Sequence, residues 1–358
     1  MIPLQIINNN PLKGRGAFIN TPNRFSSQIR DTSPFEGFDP QNANTIKTEY
    51  IEVFPKTIVN KVDTDDVPFA YSLNPYQGCE HGCTYCYARN SYNYWGYSAG
   101  VDFESKILVK KNAPELLDKL LSSKKWNASP IMMSGNTDCY QPAEKEFEIT
   151  RALLKVFLKH RHPVSIVTKN SMILRDLDII DALRKLDLIS VAISINTLDD
   201  KIRQKLEPRA SSIPKRLDTV KELIQYKVPV SVLAAPIIPG INDQDIIPLV
   251  KKLSSLGVKK INQIVVRLNG DIGEIFTDWL SKNYPDRSQK VLNKIKNLHG
   301  GQLNDSRIST RMRGEGLIAD MIHQQFALAK KLYLVESGPF KYNLELYKAP
   351  KTVQLSLF

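Results

Sequence analysis

Three of the four cysteines in this 358-residue chain lie within eight residues, Cys79-Glu80-His81-Gly82-Cys83-Thr84-Tyr85-Cys86. Three thiolates spaced C-x3-C-x2-C hold three irons of a four-iron cluster and leave the fourth open, whereas an electron-transfer cluster normally takes a fourth cysteine. A zinc site with His81 as fourth ligand is the alternative. Zinc knuckles usually come as two separate halves, and no second half is present. Gly78 and Gly82 free the backbone to wrap tightly around a cluster.

The elements that must position this loop are legible as apolar runs alternating with amphipathic stretches. The runs at 69–73, 130–134, 163–168, 189–195, 228–234 and 261–268 predict strands, and the stretches at 113–126, 143–160, 174–186, 213–226 and 243–256 predict helices. Asn112 ahead of Pro114, and Gly257 after the last of these helices, are cap signals. Six strands in βα alternation imply a parallel sheet with right-handed crossovers. Six units are fewer than a closed eight-fold barrel needs, so the expected fold is α/β, a partial (βα)6 barrel. Reactive groups should then gather at the C-terminal strand ends, where the cysteine loop begins.

The expected organisation is an irregular N-terminal arm and lead-in over 1–68, the barrel over 69–270, a helical basic extension over 271–348 and an exposed tail over 349–358. Helices are predicted in the extension at 274–282, 287–298 and 317–332. In the arm, Lys13-Gly14-Arg15-Gly16 and Arg24 are candidates for phosphate contact, with a solvated tail as the simpler reading.

The formal charge is +12. From Ser281 onward 13 Lys and Arg face 6 Asp and Glu, a net of +7. Such a surface favours polyanionic partners, although solubility charge reads the same way from composition alone. Three crowded cysteines make a poor disulfide framework and require reduced thiols, so a reducing cytoplasm is the expected compartment. The most apolar run, 228–241, is short and broken by Pro229, Pro236 and Pro239, which excludes a membrane span there. The start of the chain, with Pro3 and an Asn-rich stretch, does not read as a secretion signal.

The C-x3-C-x2-C loop with Tyr85 before its last cysteine, following strand one of six βα units, resembles the radical S-adenosylmethionine (SAM) superfamily. The resemblance implies a 4Fe–4S cluster on Cys79, Cys83 and Cys86, with SAM chelated at the open iron. It also implies reduction by a flavodoxin- or ferredoxin-type donor, and cleavage of SAM to a 5′-deoxyadenosyl radical that abstracts hydrogen from a substrate. By the same resemblance Asn136, in Ser134-Gly135-Asn136-Thr137-Asp138, stands where relatives hold the methionine amino group. Lys169 and Arg209 offer partners for its carboxylate. Ser194 and Asn196 fall where relatives contact the ribose, and Ile237 in the segment whose backbone meets adenine.

More narrowly, NPYQGCEHGCTYCYAR, SAGVDFESKILVKKNAPELL, GNTDCYQPAE, APIIPGIND and RMRGEG resemble the bacterial radical proteins grouped with spore photoproduct lyase and described as DNA-repair-photolyase-like. True lyases carry a hydrogen-donating cysteine after strand two, where this chain has Asn136. Cys139 is therefore open to two readings, a hydrogen donor or substrate contact beside Tyr140, or a packed loop thiol. Tyr87, Tyr92, Tyr94, Trp95 and Tyr97 suit either base stacking or cover over the cluster. The terminal Gln354-Leu355-Ser356-Leu357-Phe358 resembles the motif that docks bacterial repair proteins on the DNA sliding clamp. The leading expectation is a radical SAM enzyme acting on DNA or other nucleic acid. The alternatives are a radical enzyme for a protein or small metabolite, and a non-catalytic iron–sulfur sensor.

Overall fold

The computed structural model describes residues 5–6, 12–23, 25 and 46–347. Its strands are β1 (Gln5–Ile6), β2 (Ile19–Asn20), β3 (Glu49–Val53), β4 (Val59–Lys61), β5 (Tyr71–Leu73), β6 (Tyr76–Gln77), β7 (Lys106–Lys110), β8 (Ile131–Met133), β9 (Val164–Thr168), β10 (Ile189–Ser194), β11 (Val230–Ile237) and β12 (Ile261–Val265). A seven-stranded sheet runs β12-β11-β10-β9-β8-β5-β4. Its first six strands are mutually parallel, and β4 is antiparallel to β5. All six strands expected from the sequence are present, and the sheet is open, since β4 and β12 are its two edges.

Helices Ala113–Leu121, Ile149–His160, Leu177–Arg184, Ile213–Gln225 and Ile246–Ser255 connect these strands. They bury one apolar face each, for instance Leu153, Leu154 and Phe157, against Ile131, Ile166 and Val191 of the sheet. That hydrophobic burial is the main driving force for the layered arrangement.

Three expectations are corrected. The lead-in is not irregular throughout: β3 and β4 lie in it, and β3 pairs with β7, which pairs with β6, in a second, three-stranded sheet. β7 had no signal of its own because Lys106-Ile107-Leu108-Val109-Lys110 leads straight into a helix and needs β3, over fifty residues upstream, as a partner. The helix expected over 143–160 breaks at Glu148, whose φ of 49° is left-handed. Asn112 does stand at the N-cap with Pro114 in the first turn, but it makes no side-chain cap bond; its amide donates to the Pro55 carbonyl instead.

Residues 12–19 of the presumed arm are core. Leu12, Ala17, Phe18 and Ile19 pack with Phe276, Trp279 and Leu280 of helix Ile272–Asn283 and with Ile295 of helix Ser288–Leu298. Arg15 is buried and donates to the carbonyls of Glu104 and Ile46, so it is not placed to touch phosphate. Arg24 and Gln354–Phe358 lie outside the described residues.

The chain's last described segment crosses the N-terminal ends of the sheet strands, with Ser337 on Lys259, Asn343 on Asp187, and the Tyr342 hydroxyl 2.6 Å from Ser190 Oγ. A cavity of about 370 Å³ opens there, lined by Ser231, Lys259 and Phe340, at the opposite end from the cysteine loop. Among the described residues no helix is long and apolar enough to cross a membrane.

Candidate active site

The cysteine loop follows β5 of the seven-stranded sheet and β6 of the three-stranded one. Its backbone is fixed from several sides: Cys79 N–H donates to Phe103 O (2.8 Å), Thr84 N–H to Leu206 O (3.1 Å), and the Arg89 guanidinium to Cys83 O (2.9 Å). Gln141 holds both Glu80 N–H (2.9 Å) and Gly78 O (3.0 Å). Behind the loop, Glu104 and Arg89 form an ion pair of 2.5 Å with no solvent exposure, and Glu104 also accepts from the N–H groups of Gly16 and Ala17. At Gly16 an added Cβ would lie 1.8 Å from Gly82 O, so the N-terminal segment touches the loop's own backbone.

Glu80 is buried behind the loop and receives Thr48 Oγ1, the Tyr50 hydroxyl and Arg209 (3.1 Å). The structure thus places Arg209 on Glu80, as a brace for the cysteine loop.

Cys79, Cys83 and Cys86 are free thiols, the first two buried. Burial and the neighbouring Asp138, Cys83 and Cys86 charges push Cys79 well up. Burial also pushes Cys83 up to about 12, despite the opposing field of Lys169. Buried thiols such as Cys79 and Cys83 need a cationic core to ionise together, which is what an iron–sulfur cluster provides. Among the described residues no three His, Cys, Asp or Glu side chains converge on a single ion. Thiolates around a multi-iron core stand at its corners and need not converge. His81, the zinc alternative, has both ring nitrogens engaged, with Asp138 (3.3 Å) and Asn170 (3.3 Å). The cysteine set therefore fits a cluster.

Around it, the strand ends are stitched together by polar side chains. Asp138 accepts from Thr168 Oγ1, Lys169 N–H and Tyr140 N–H, at 2.8, 2.8 and 2.9 Å, and faces His81. Burial alone would raise its carboxyl, but His81 and these N–H groups lower it to about 2. Asn74 Oδ1 accepts from Asn136 N–H (2.8 Å) and Thr137 N–H (3.2 Å), and Asn136 Nδ2 reaches Ser91 Oγ (3.2 Å). Ser134, opening this turn, takes a φ of 71°. Tyr87 donates its hydroxyl to Gly135 O.

Tyr85 donates to Glu207, whose other oxygen holds Arg216, and Arg216 continues to Ser194 O (3.0 Å) and Ser211 O (2.8 Å). Glu207 is held below its usual range; burial opposes ionisation, but Arg216 and Lys169 outweigh it. Lys169 is held charged: burial works against it, and Cys83, Glu207 and Asp138 overcome that. Its ammonium makes no hydrogen bond or ion pair with any described side chain. Asn196 is buried, and its Oδ1 has no hydrogen-bond partner. An unpaired cation and an unsatisfied acceptor at neighbouring strand ends fit a ligand bearing a carboxylate and hydroxyls.

Ile237 is fully buried, and its carbonyl accepts from Val266 N–H. The ladder slips between Ala234 and Ile237, so backbone at 235–236 leaves the regular pairing. Cys139 is fully buried in the main core, with Ser134 Oγ on its N–H and Thr150 Oγ1 on its carbonyl. Burial and the Asp138 charge push its thiol well up. A substrate radical must touch its hydrogen donor, so the structure supports the packed-thiol reading. The aromatic group divides: Tyr92 is buried against Phe103, while Tyr87, Tyr94 and Trp95 are exposed.

Sequence reading missed Asp138, Glu207, Arg216 and Glu104 as the groups that hold this site. Asp138 and Glu104 sit inside the quoted motifs. Glu207 and Arg216 lie outside them, and Glu207 reaches the cysteine loop only through Tyr85, 122 residues earlier in the chain.

The family model for the Radical SAM superfamily matches residues 73–253. An uncharacterized protein of Methanocaldococcus jannaschii is 32% identical over 250 residues, covering 69% of this chain and 88% of its own length. An uncharacterized protein of Mycobacterium tuberculosis is 28% identical over 238 residues, covering 66% and 70%. Among solved structures, spore photoproduct lyase complexed with dinucleoside spore photoproduct has a TM-score of 0.60 at 15% identity, covering 86% of each chain. With its three thiols on the loop between β6 and the helical turn at Tyr87, this chain belongs to the radical SAM superfamily and is an enzyme of that kind.

Proposed function

We propose that the protein holds a 4Fe–4S cluster on Cys79, Cys83 and Cys86, binds SAM at the open iron, and acts on a nucleic acid. The observation that carries this reading is the set of three thiols with Cys83 in the field of an unpaired Lys169 at the end of β9, and the orphaned Asn196 Oδ1 just past the end of the neighbouring β10. When bound, the cluster and SAM supply a 5′-deoxyadenosyl radical by one-electron reductive cleavage, with a flavodoxin- or ferredoxin-type protein as electron source.

The chain's own residues do the rest. Lys169 holds the carboxylate of the methionine moiety, and the segment at Gly135–Asn136 receives its amino group. Asn196 accepts from a ribose hydroxyl, while Ser194 lends its backbone position and its carbonyl fixes Arg216. The backbone around Ile237 frames the adenine. Tyr85, bonded to Glu207, closes the wall beside Cys86 and excludes water. Arg209 acts through Glu80 on the cysteine loop.

Nucleic acid is favoured as substrate by the +12 charge and by the exposed Tyr87, Tyr94 and Trp95 next to the cysteines. The similarly folded spore photoproduct lyase is seen complexed with dinucleoside spore photoproduct. With Asn136 at the donor position and Cys139 buried, the reaction is repair-like but differs from that lyase's. Anoxically reconstituted, dithionite-reduced protein should release 5′-deoxyadenosine from SAM, Cys83→Ala should release none, and Cys139→Ala should stay within about twofold of the parent. No release from a well-loaded cluster would overturn the proposal. Transfer of deuterium into 5′-deoxyadenosine only from a protein or metabolite pool would replace the nucleic-acid substrate.

A further inference from the structure

Arg267 lies just past the end of β12, and it is the residue whose chemistry the reading above leaves unused. Its guanidinium is half-buried and makes no hydrogen bond or ion pair with any described residue. It stands 5.8 Å over the ring of Tyr87, the residue that directly follows Cys86 and whose hydroxyl is fixed on Gly135 O. Burial lowers the Arg267 pKa, and the neighbouring Arg311 lowers it further, with Tyr87 and Asp66 opposing. Asp66 is already committed to the Arg311 side chain. One carboxylate therefore faces two guanidiniums, and a positive charge is left over within one ring's width of the cysteine loop. A half-buried guanidinium without an anion is costly unless a ligand supplies one. Its planar fork of donors matches phosphate oxygens.

We propose that Arg267 is a substrate-binding residue that grips a backbone phosphate of the nucleic acid, setting the adjoining nucleotide against Tyr87. The proposal rests on the nucleic-acid reading of the site. The carboxylate of SAM is served by Lys169, on the end of β9, so the two cations divide the anions between them: Lys169 for the cofactor and Arg267 for the substrate.

The test uses the reconstituted full chain under anoxic conditions, with a fluorescein-labelled 16-nucleotide single strand and its duplex as probes, read by anisotropy across a salt series. Arg267→Ala and the longer neutral Arg267→Gln should each weaken binding about tenfold and reduce the slope of log Kd against log salt by about one, the effect of losing one phosphate contact. Arg267→Lys should recover part of the affinity. Two neutral variants guard against a folding artefact in either. Affinity and slope unchanged in a neutral variant with the parent's melting temperature would overturn the role of Arg267 and leave the nucleic-acid reading standing. Parent protein that releases 5′-deoxyadenosine yet binds neither probe would overturn both. Weaker SAM binding with unaltered probe binding in Arg267→Gln would reassign the guanidinium to the cofactor and overturn the proposal.

Discussion

The carboxylate of Asp66 accepts from the guanidinium of Arg311, 245 residues further along the chain, while Arg311 also reaches Thr64 Oγ1 (2.7 Å) and Ser309 N–H reaches Asp66 Oδ1 (3.2 Å). Asp66 lies in the connection between β4 and β5, and Arg311 lies in the segment that runs beside β12 through Met312 O on Val265 N–H. Because β4 and β12 are the two edges of the sheet, this contact joins what strand pairing leaves open. The side chain of Asp66 is 5% exposed and that of Arg311 22%, so the pair is only weakly screened by solvent.

The first prediction concerns that bridge. Asp66→Ala and Arg311→Ala should each destabilise the protein by about 2 kcal/mol in urea unfolding, because each leaves a poorly solvated partner behind. The double variant should cost less than the sum, with a coupling of about 1–2 kcal/mol. Strict additivity would mean that the edges are not joined through this pair.

A second prediction concerns the support beneath the cysteines. Gly16→Ala forces a methyl group into Gly82 O, so it should displace the loop and reduce iron and sulfide per chain after reconstitution by more than half. Gly14→Ala is the control. Its φ of 72° costs about 1 kcal/mol of strain, but an added Cβ there meets nothing within 4 Å. Equal iron loading in the two variants would show that the N-terminal segment does not position the three cysteines.

The third prediction follows from His162, which is fully buried and satisfied as the neutral ring. Its Nε2 accepts from Trp126 Nε1–H (3.0 Å), and its Nδ1 donates to Pro163 O (3.0 Å). Burial, reinforced by nearby His160, lowers its pKa from 6.5 to about 4. Between those two values the unfolded chain binds a proton that the folded chain refuses, so stability is full above the unfolded pKa and falls as pH drops toward the folded one. The loss amounts to about 3 kcal/mol across the window. Chemical denaturation at pH 7 and pH 4.5 should show a drop that is largely absent in His162→Gln. An equal drop in both proteins would assign the acid sensitivity to other groups.

What was legible in the sequence had a local cause. The six parallel strands showed because each is a short buried run between amphipathic helices. The cysteine loop showed because three thiols at C-x3-C-x2-C spacing fall within one eight-residue stretch. Elements whose stability comes from a distant partner did not show. β3 and β7 are strands because they pair with each other, and residues 12–19 are core because they pack beneath the cysteine loop and against helix Ile272–Asn283.

The sequence by itself determined the family, the three thiols and the parallel strands around them. Those features are written in residue type and spacing along one stretch of chain. Only the tertiary structure decided which charged groups are already spent. Arg15, Arg209 and Arg311, alike in sequence as basic residues, are taken by the Glu104 carbonyl, by Glu80 and by Asp66. Lys169 and Arg267 remain without an ion-pair partner among the described residues beside the cysteines. A charge is free for ligand only when no folded partner comes within reach, and that is a property of packing in three dimensions.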